Sequence, residues 1–148
     1  MAFDYDLDFD SINFREKPEL YRVGRGEQGV LLVEPYKSEI LPHWRFKTPE
    51  IAKESSEKIY DMYLDYKKKG DFVGMDMSRK FLQMGYTRAR RYANYKGGRK
   101  YDENGEVKER EIDSVKAESA AIFEKKWILV REDEDYLKLK KQHQKNYG

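Results

Sequence analysis

Cysteine is absent from the chain, which excludes disulfides and thiolate metal sites. The only imidazoles, His43 and His143, stand a hundred positions apart, which argues against zinc. Long apolar runs are missing too. The longest aliphatic stretches, Val30–Val33 and Ile128–Val130, fall far short of the roughly 20 residues that a bilayer-spanning helix needs. The opening Met-Ala-Phe-Asp-Tyr-Asp has neither the basic nor the apolar region of a signal peptide. These absences lead to the expectation of a soluble, cytoplasmic protein with no membrane partner, folded as a single domain over residues 1–148. Aromatic content of 14% supplies a core despite the high charge, so general disorder is not expected.

A further absence is local. Asp and Glu fill 28 of 148 positions, yet none lies between Met77 and Tyr101, a window holding Arg79, Lys80, Arg88, Arg90, Arg91, Lys96, Arg99 and Lys100. Removing those eight bases from the total of 30 leaves 22 against 28 acids, so the net charge of +2 conceals a basic stretch on a body of −6. Tyr86, Tyr92, Tyr95 and Tyr101 are interleaved with the cations. A positive strip carrying flat rings suits a polyanion whose bases can also be contacted, and nucleic acid is the commonest such partner.

Residues 3–10 alternate Phe3, Tyr5, Leu7 and Phe9 with Asp4, Asp6, Asp8 and Asp10, the period of a strand. An edge strand or docked arm is expected, its acidic face blocking edge-to-edge pairing. An acidic counter-patch for the basic strip is the minority reading. Calcium fails, because an EF-hand loop begun at Asp4 would have Phe9 in place of its glycine and Arg15 in place of its last glutamate. Leu20–Val23 and Val30–Val33, joined by Gly24-Arg-Gly26-Glu-Gln-Gly29, read as a β-hairpin. The loop spells G-x-G-x-x-G, but the strand-like run after it lacks the helix on which a pyrophosphate would rest, so turn geometry explains the glycines. Arg22 and Arg25 remain candidates for a minor phosphate contact. His43, beside Trp44 and without a nucleophile motif, reads as a packed or capping imidazole.

Thr48-Pro49-Glu50 opens a helix that Gly70 ends. Asp71 caps a second, reaching about Tyr95, with Val73, Met77, Phe81, Met84, Gly85, Ala89 and Tyr92 on its apolar stripe and the basic residues forming a ridge opposite. Arg88 alone projects toward the stripe. Either it is partly buried and paired, or the helix breaks at Gly85 and a weak helix-turn-helix results. Asn104-Gly105 marks a charged hairpin over Arg99–Glu111. Glu106-x-Lys108 resembles half of a metal-nuclease signature, with Glu34 or Asp102 as the other carboxylate, but Glu-x-Lys recurs at Glu124 and chance accounts for it. A third helix starts at Asp113 or Ser114 with Trp127 as its core anchor, and a short final helix carries Lys138, Lys140, Lys141 and Lys145 toward its end. The expected fold is α+β, mainly helical: three to four helices packed with a small antiparallel hairpin or sheet.

Two stretches carry a resemblance. They run from Arg22 to Glu50 (Arg-Val-Gly-Arg-Gly-Glu-Gln-Gly-Val-Leu-Leu-Val-Glu-Pro-Tyr-Lys-Ser-Glu-Ile-Leu-Pro-His-Trp-Arg-Phe-Lys-Thr-Pro-Glu) and from Lys80 to Gly98 (Lys-Phe-Leu-Gln-Met-Gly-Tyr-Thr-Arg-Ala-Arg-Arg-Tyr-Ala-Asn-Tyr-Lys-Gly-Gly). In these the chain resembles, over almost its whole length, a family of uncharacterised proteins found in bacteria and in phages of marine cyanobacteria. The resemblance implies a single cytoplasmic domain of bacterial or phage origin and assigns no functional residue.

The leading functional expectation is therefore a small nucleic-acid-binding protein without cofactor or catalytic residue. Arg79, Lys80, Arg90, Arg91, Lys96, Arg99 and Lys100 would hold phosphates, and Tyr86 or Tyr95 would stack on bases. The alternative is a protein-interaction or host-modulating module. A small metal-dependent enzyme using Glu34, Asp102 or Glu106 stands last. Against all of these, the ridge could be a solvated face neutralised by the protein's own acids.

Overall fold

Capping chemistry sets the helix boundaries. In a computed structural model, which describes residues 2–94, 103–106 and 113–148, the described chain forms α1 (Tyr36–Ile40), α2 (Pro49–Lys68), α3 (Phe72–Asn94), α4 (Ser114–Arg131) and α5 (Glu134–Tyr147). Thr48 Oγ1 accepts the Ile51 amide at 3.2 Å, with Pro49 in the first turn of α2. At its far end the Asp71 and Gly70 amides return to the Tyr66 and Lys67 carbonyls at 2.9 and 3.0 Å, the pairing of a Schellman stop. Asp71 then accepts the Gly74 amide at 3.0 Å, so one turn closes α2 and starts α3. Asp113 caps α4. Asp133 caps α5 and also takes the Tyr63 hydroxyl at 2.6 Å and the Lys67 ammonium at 2.9 Å, which fastens α5 to α2.

The middle helix is the axis of the molecule. Every residue from Phe72 to Leu82 is buried, the pattern of a helix surrounded on all sides rather than laid on a surface. α2 and α4 lie along it, and α1 and α5 touch it. The segment before α1 covers the remaining side, contributing Phe3, Phe14, Tyr21, Val23, Val30 and Val33 to the core. Burial of each large side chain gains about 1.5–3 kcal/mol, which holds this segment down. Arg15 pins it further, donating to both Glu39 oxygens at 2.8 and 2.7 Å while its guanidinium lies 4.8 Å from the Tyr36 ring centre.

The expected α+β fold is corrected here: the described residues contain helices and turns and no strand. Two physical reasons account for this. In residues 3–10 the aspartates compete for the backbone, Asp4 accepting the Asp6 amide at 3.0 Å and Asp8 the Ser11 hydroxyl at 2.7 Å, so local turns replace extension. The alternation fails with it, since Phe3 is buried while Tyr5 is 56% exposed. In the expected hairpin, the Gln28, Val30 and Leu32 amides each bond three residues back, to Arg25, Glu27 and Gly29. The carbonyls of Gly26 and Gln28 are taken by Arg79 and Lys80 of α3. Backbone groups that a second strand would have satisfied are met by consecutive turns and two cations instead. The loop glycines serve those turns, all three having positive φ (Gly24 69°, Gly26 53°, Gly29 79°).

Other expectations stand or shift in detail. α3 runs unbroken through Gly85 to Asn94, so no helix-turn-helix forms there. Phe123 is fully buried and anchors α4, whereas Trp127 is only partly buried, a correction to its expected role. His43 is exposed rather than packed; its carbonyl, not its ring, takes the Ser55 hydroxyl at 2.6 Å. The turn at Asn104-Gly105 is present, with Gly105 at φ 78°, while the hairpin expected around it lies largely outside the described residues.

Gly85 sets the approach of α4: a Cβ there would fall 2.4 Å from the Phe123 ring. Alanine is favoured over glycine within a helix by about 1 kcal/mol, but overpacking costs about 1–3 kcal/mol. Gly85→Ala is therefore expected to lower the urea unfolding midpoint, and adding Phe123→Leu to restore part of the loss. A single variant more stable than the parent would contradict this packing.

Candidate functional site

Asp76, Arg79 and Lys80 are spaced i, i+3 and i+4, which gathers them along one length of α3. All three are buried, at 0%, 7% and 0% exposure. Arg79 Nη2 donates to Asp76 Oδ1 at 2.8 Å and its Nε to the same oxygen at 3.0 Å, while Nη1 donates to the Gly26 carbonyl at 2.5 Å and to Gln83 Oε1 at 2.9 Å. The hydroxyls of Tyr136, at 2.6 Å, and of Tyr21 also donate to the Asp76 carboxylate. Lys80 Nζ donates to the Gln28 carbonyl at 2.6 Å, stands 3.9 Å from Asp76 Oδ2, and lies 4.8 and 5.1 Å from the Tyr21 and Phe3 ring centres.

The cluster shifts its members in opposite directions. Burial pushes the Asp76 carboxyl up, but Arg79, Lys80 and the two tyrosine hydroxyls outweigh it and hold the group at about 2. For Lys80 burial dominates: the ammonium is pulled down to about 7, with Asp76 opposing and Arg79 adding to the shift. Burial raises both tyrosine hydroxyls, and the Asp76 charge raises them further. His143 closes the same core. Its Nε2 lies 2.7 Å from the Tyr21 carbonyl, and because a carbonyl only accepts, that nitrogen carries the proton; burial lowers its pKa.

The basic ridge expected from the sequence thus divides. Arg79 and Lys80 are ion-paired inside the molecule and form no part of an outward-facing strip, Arg79 reaching only the wall of a small recess. Arg90 and Arg91 are exposed, and so is Arg88, contrary to the expectation that it be partly buried, although Arg88 and Arg91 stand within electrostatic reach of Glu27. Beyond Gly85 the helix buries only the small residues Ala89 and Ala93, a strip too narrow to enclose Arg88. Tyr86 is half-buried against Trp127, with ring centres 5.6 Å apart, and is occupied in packing. Arg22 donates to the Glu19 carbonyl at 2.9 Å, and Arg25 is exposed on the glycine loop. Tyr95, Lys96, Arg99 and Lys100 lie outside the described residues.

The structure brings together a second basic surface. Arg45, Phe46, Lys47, Ile51, Tyr92 and Lys116 line a groove of about 430 Å³. The Phe46 and Tyr92 rings lie 5.9 Å apart, and Lys116 Nζ donates to the Lys47 carbonyl at 2.8 Å. No carboxylate among the described residues lines this groove. Arg88, one helical turn before Tyr92, and the adjacent Arg91 extend the positive surface along α3. The signal for it was Arg45-Phe46-Lys47, cation, ring, cation, immediately before the α2 cap; read alone it is a linker, and only folding sets Tyr92 and Lys116 beside it.

A family model described as a domain of unknown function, DUF4385, matches residues 4–146. The chain belongs to that family. No curated protein and no solved structure matches it. In this DUF4385 chain no helix among the described residues is long and apolar enough to cross a membrane, and no group of His, Asp and Glu among them could hold a metal ion. Glu34, a candidate for the metal reading, is turned onto Ser38, accepting both its amide and its hydroxyl. Asp102 lies outside the described residues.

The buried cluster makes stability depend on pH in two windows. Asp76 contributes fully above the unfolded carboxyl value near 4, and that contribution is lost as pH falls toward 2. Lys80 is protonated in the unfolded chain below about 10.4 but in the folded chain only below about 7. The unfolded state therefore binds more protons between those values, and stability rises with pH across that interval. Unfolding free energies from urea titrations between pH 7.5 and 9.5 should climb by up to about 1.4 kcal/mol per pH unit, and Lys80→Met should flatten the climb. Asp76→Asn, which leaves two buried cations unopposed, is expected to cost about 3–5 kcal/mol. A neutral effect of that change would refute the cluster's role.

Proposed function

We propose that the chain, acting as one domain over residues 1–148, is a nucleic-acid-binding protein that takes unpaired bases. The single observation behind this reading is the groove between α2, α3 and α4: aromatic rings of Phe46 and Tyr92, with the cations Arg45, Lys47 and Lys116 around them and no carboxylate among the described residues of its lining. An aromatic face receives any base because every base has a π-face, and stacking contributes about 1–3 kcal/mol per base. The cations meet the flanking phosphates, and exposed Arg88 and Arg91 carry the contact along α3. Compared with the ridge read from the sequence, this surface loses Arg79 and Lys80 and gains Arg45, Lys47 and Lys116. A duplex, whose bases are already stacked, fits it less well than a single strand or loop.

Fluorescence anisotropy with labelled single-stranded DNA and RNA tests the proposal. If Arg45, Lys47, Arg88, Arg91 and Lys116 neutralise about five phosphates, affinity for a single strand should fall about a hundredfold between 50 and 200 mM salt. Tyr92→Ala should weaken binding about 5- to 150-fold, while Tyr92→Phe, which keeps the ring, should leave it within a few fold. Binding that ignores both salt and Tyr92, or no binding alongside capture of a defined protein, would transfer the groove to the protein-interaction reading.

A further inference from the structure

We propose that the cavity between the glycine loop and the start of α5 binds a small phosphate-bearing molecule, held by Arg79, Arg131 and Lys140. The cavity measures about 220 Å³. Its wall combines Gly24 and Gly26 of the loop, Arg79 and Gln83 of α3, Trp127 and Arg131 of α4, and Tyr136, Leu137 and Lys140 of α5. It is separate from the Phe46–Tyr92 groove, with which it shares no residue, and the proposal stands independently of the nucleic-acid reading.

Charge carries the argument first. Among the described residues, three cations line the cavity and no carboxylate does. Some cations of the protein meet acids, Arg15 with Glu39 and Lys67 with Asp133 and Asp135. Arg131 and Lys140 have no such partner among the described residues. The guanidinium of Arg131 lies 4.6 Å from the Trp127 ring centre, which orients a planar fork at the cavity rim without neutralising it. Behind it, Asp76 is one carboxylate shared by two buried cations, Arg79 and Lys80, with Glu27 within electrostatic reach of Arg79.

Donor accounting adds a second line. Arg79 has five N–H groups. Nε is shared between Asp76 at 3.0 Å and the Tyr136 hydroxyl oxygen at 3.1 Å, both Nη1 hydrogens are used on Gly26 and Gln83, and Nη2 makes one bond, to Asp76 at 2.8 Å. One Nη2–H is left without an acceptor among the described residues, on a side chain that is 7% exposed and lines the cavity. A buried, oriented donor flanked by two unpaired cations matches a dianionic phosphate oxygen better than a single carboxylate. The volume limits the rest of the molecule to about the size of a pentose, far below a dinucleotide.

Isothermal titration calorimetry with pyrophosphate and with ribose 5-phosphate, at ionic strength fixed by sodium chloride, tests this site. We expect submillimolar binding of at least one, a matching rise in melting temperature, and at least a tenfold loss of affinity in both Arg131→Gln and Lys140→Gln. Leu137→Glu, which sets a carboxylate at the cavity wall on an exposed position, should abolish binding, while Arg45→Gln on the other face should leave it unchanged. Equal binding of succinate, no binding of either phosphate, or an unaltered affinity in folded Arg131→Gln and Lys140→Gln would overturn the assignment.

Discussion

A carboxylate with no access to water governs this molecule. Moving an ion such as Asp76 out of solvent costs several kcal/mol, and the cost is met only where opposite charge and hydrogen-bond donors converge with good geometry. Here the opposite charges and donors come from three elements: Arg79 and Lys80 on the same helix, Tyr21 from the segment before α1, and Tyr136 from α5. Satisfying the cations in turn requires the Gly26 and Gln28 carbonyls. One buried charge thus fixes the positions of the amino-terminal wrap, the glycine loop and the last helix around α3.

That arrangement explains why a basic stretch in the sequence is not a basic face in the fold. The first half of α3 spends its cations internally, and only its last third, past the close packing at Gly85, turns Arg88, Arg90 and Arg91 outward. Positive surface is then regrouped by tertiary contact, with Tyr92 joined to the Arg45–Lys47 segment on one side and Arg79 joined to Arg131 and Lys140 on another. Both surfaces combine rings with unneutralised cations, yet they differ in scale, one an open groove and the other a small recess.

The helices were legible because their ends are local chemistry. Thr48, Gly70, Asp71 and Asp113 act within a turn of their own position, and their roles as caps and stops needed no tertiary information. The hairpin was misread because Val23, Val30 and Val33 are core residues whose apolar spacing looks the same in a strand and in a chain of turns. What decides between them is the identity of the groups that satisfy Gly26 and Gln28, and these lie more than fifty positions away. Arg79 and Lys80 were read as exposed because helical periodicity assigns one wet face, an assumption that fails when a helix is enclosed. Placing Asp76 three and four residues before them was the available clue, since an isolated acid just ahead of an acid-free window is a natural internal counter-ion.

The tie between Tyr21 and His143, 122 residues apart and closed by a 2.7 Å hydrogen bond, bears on how such a chain acquires its structure. Helical proteins usually fold fast because their contacts are near in sequence. Here the early aromatic segment has no finished surface to settle on until α5 has left the ribosome, so cooperative assembly must wait for that helix. Until then the apolar side chains of residues 3–33 are uncovered, exposing the nascent chain to self-association or chaperone capture.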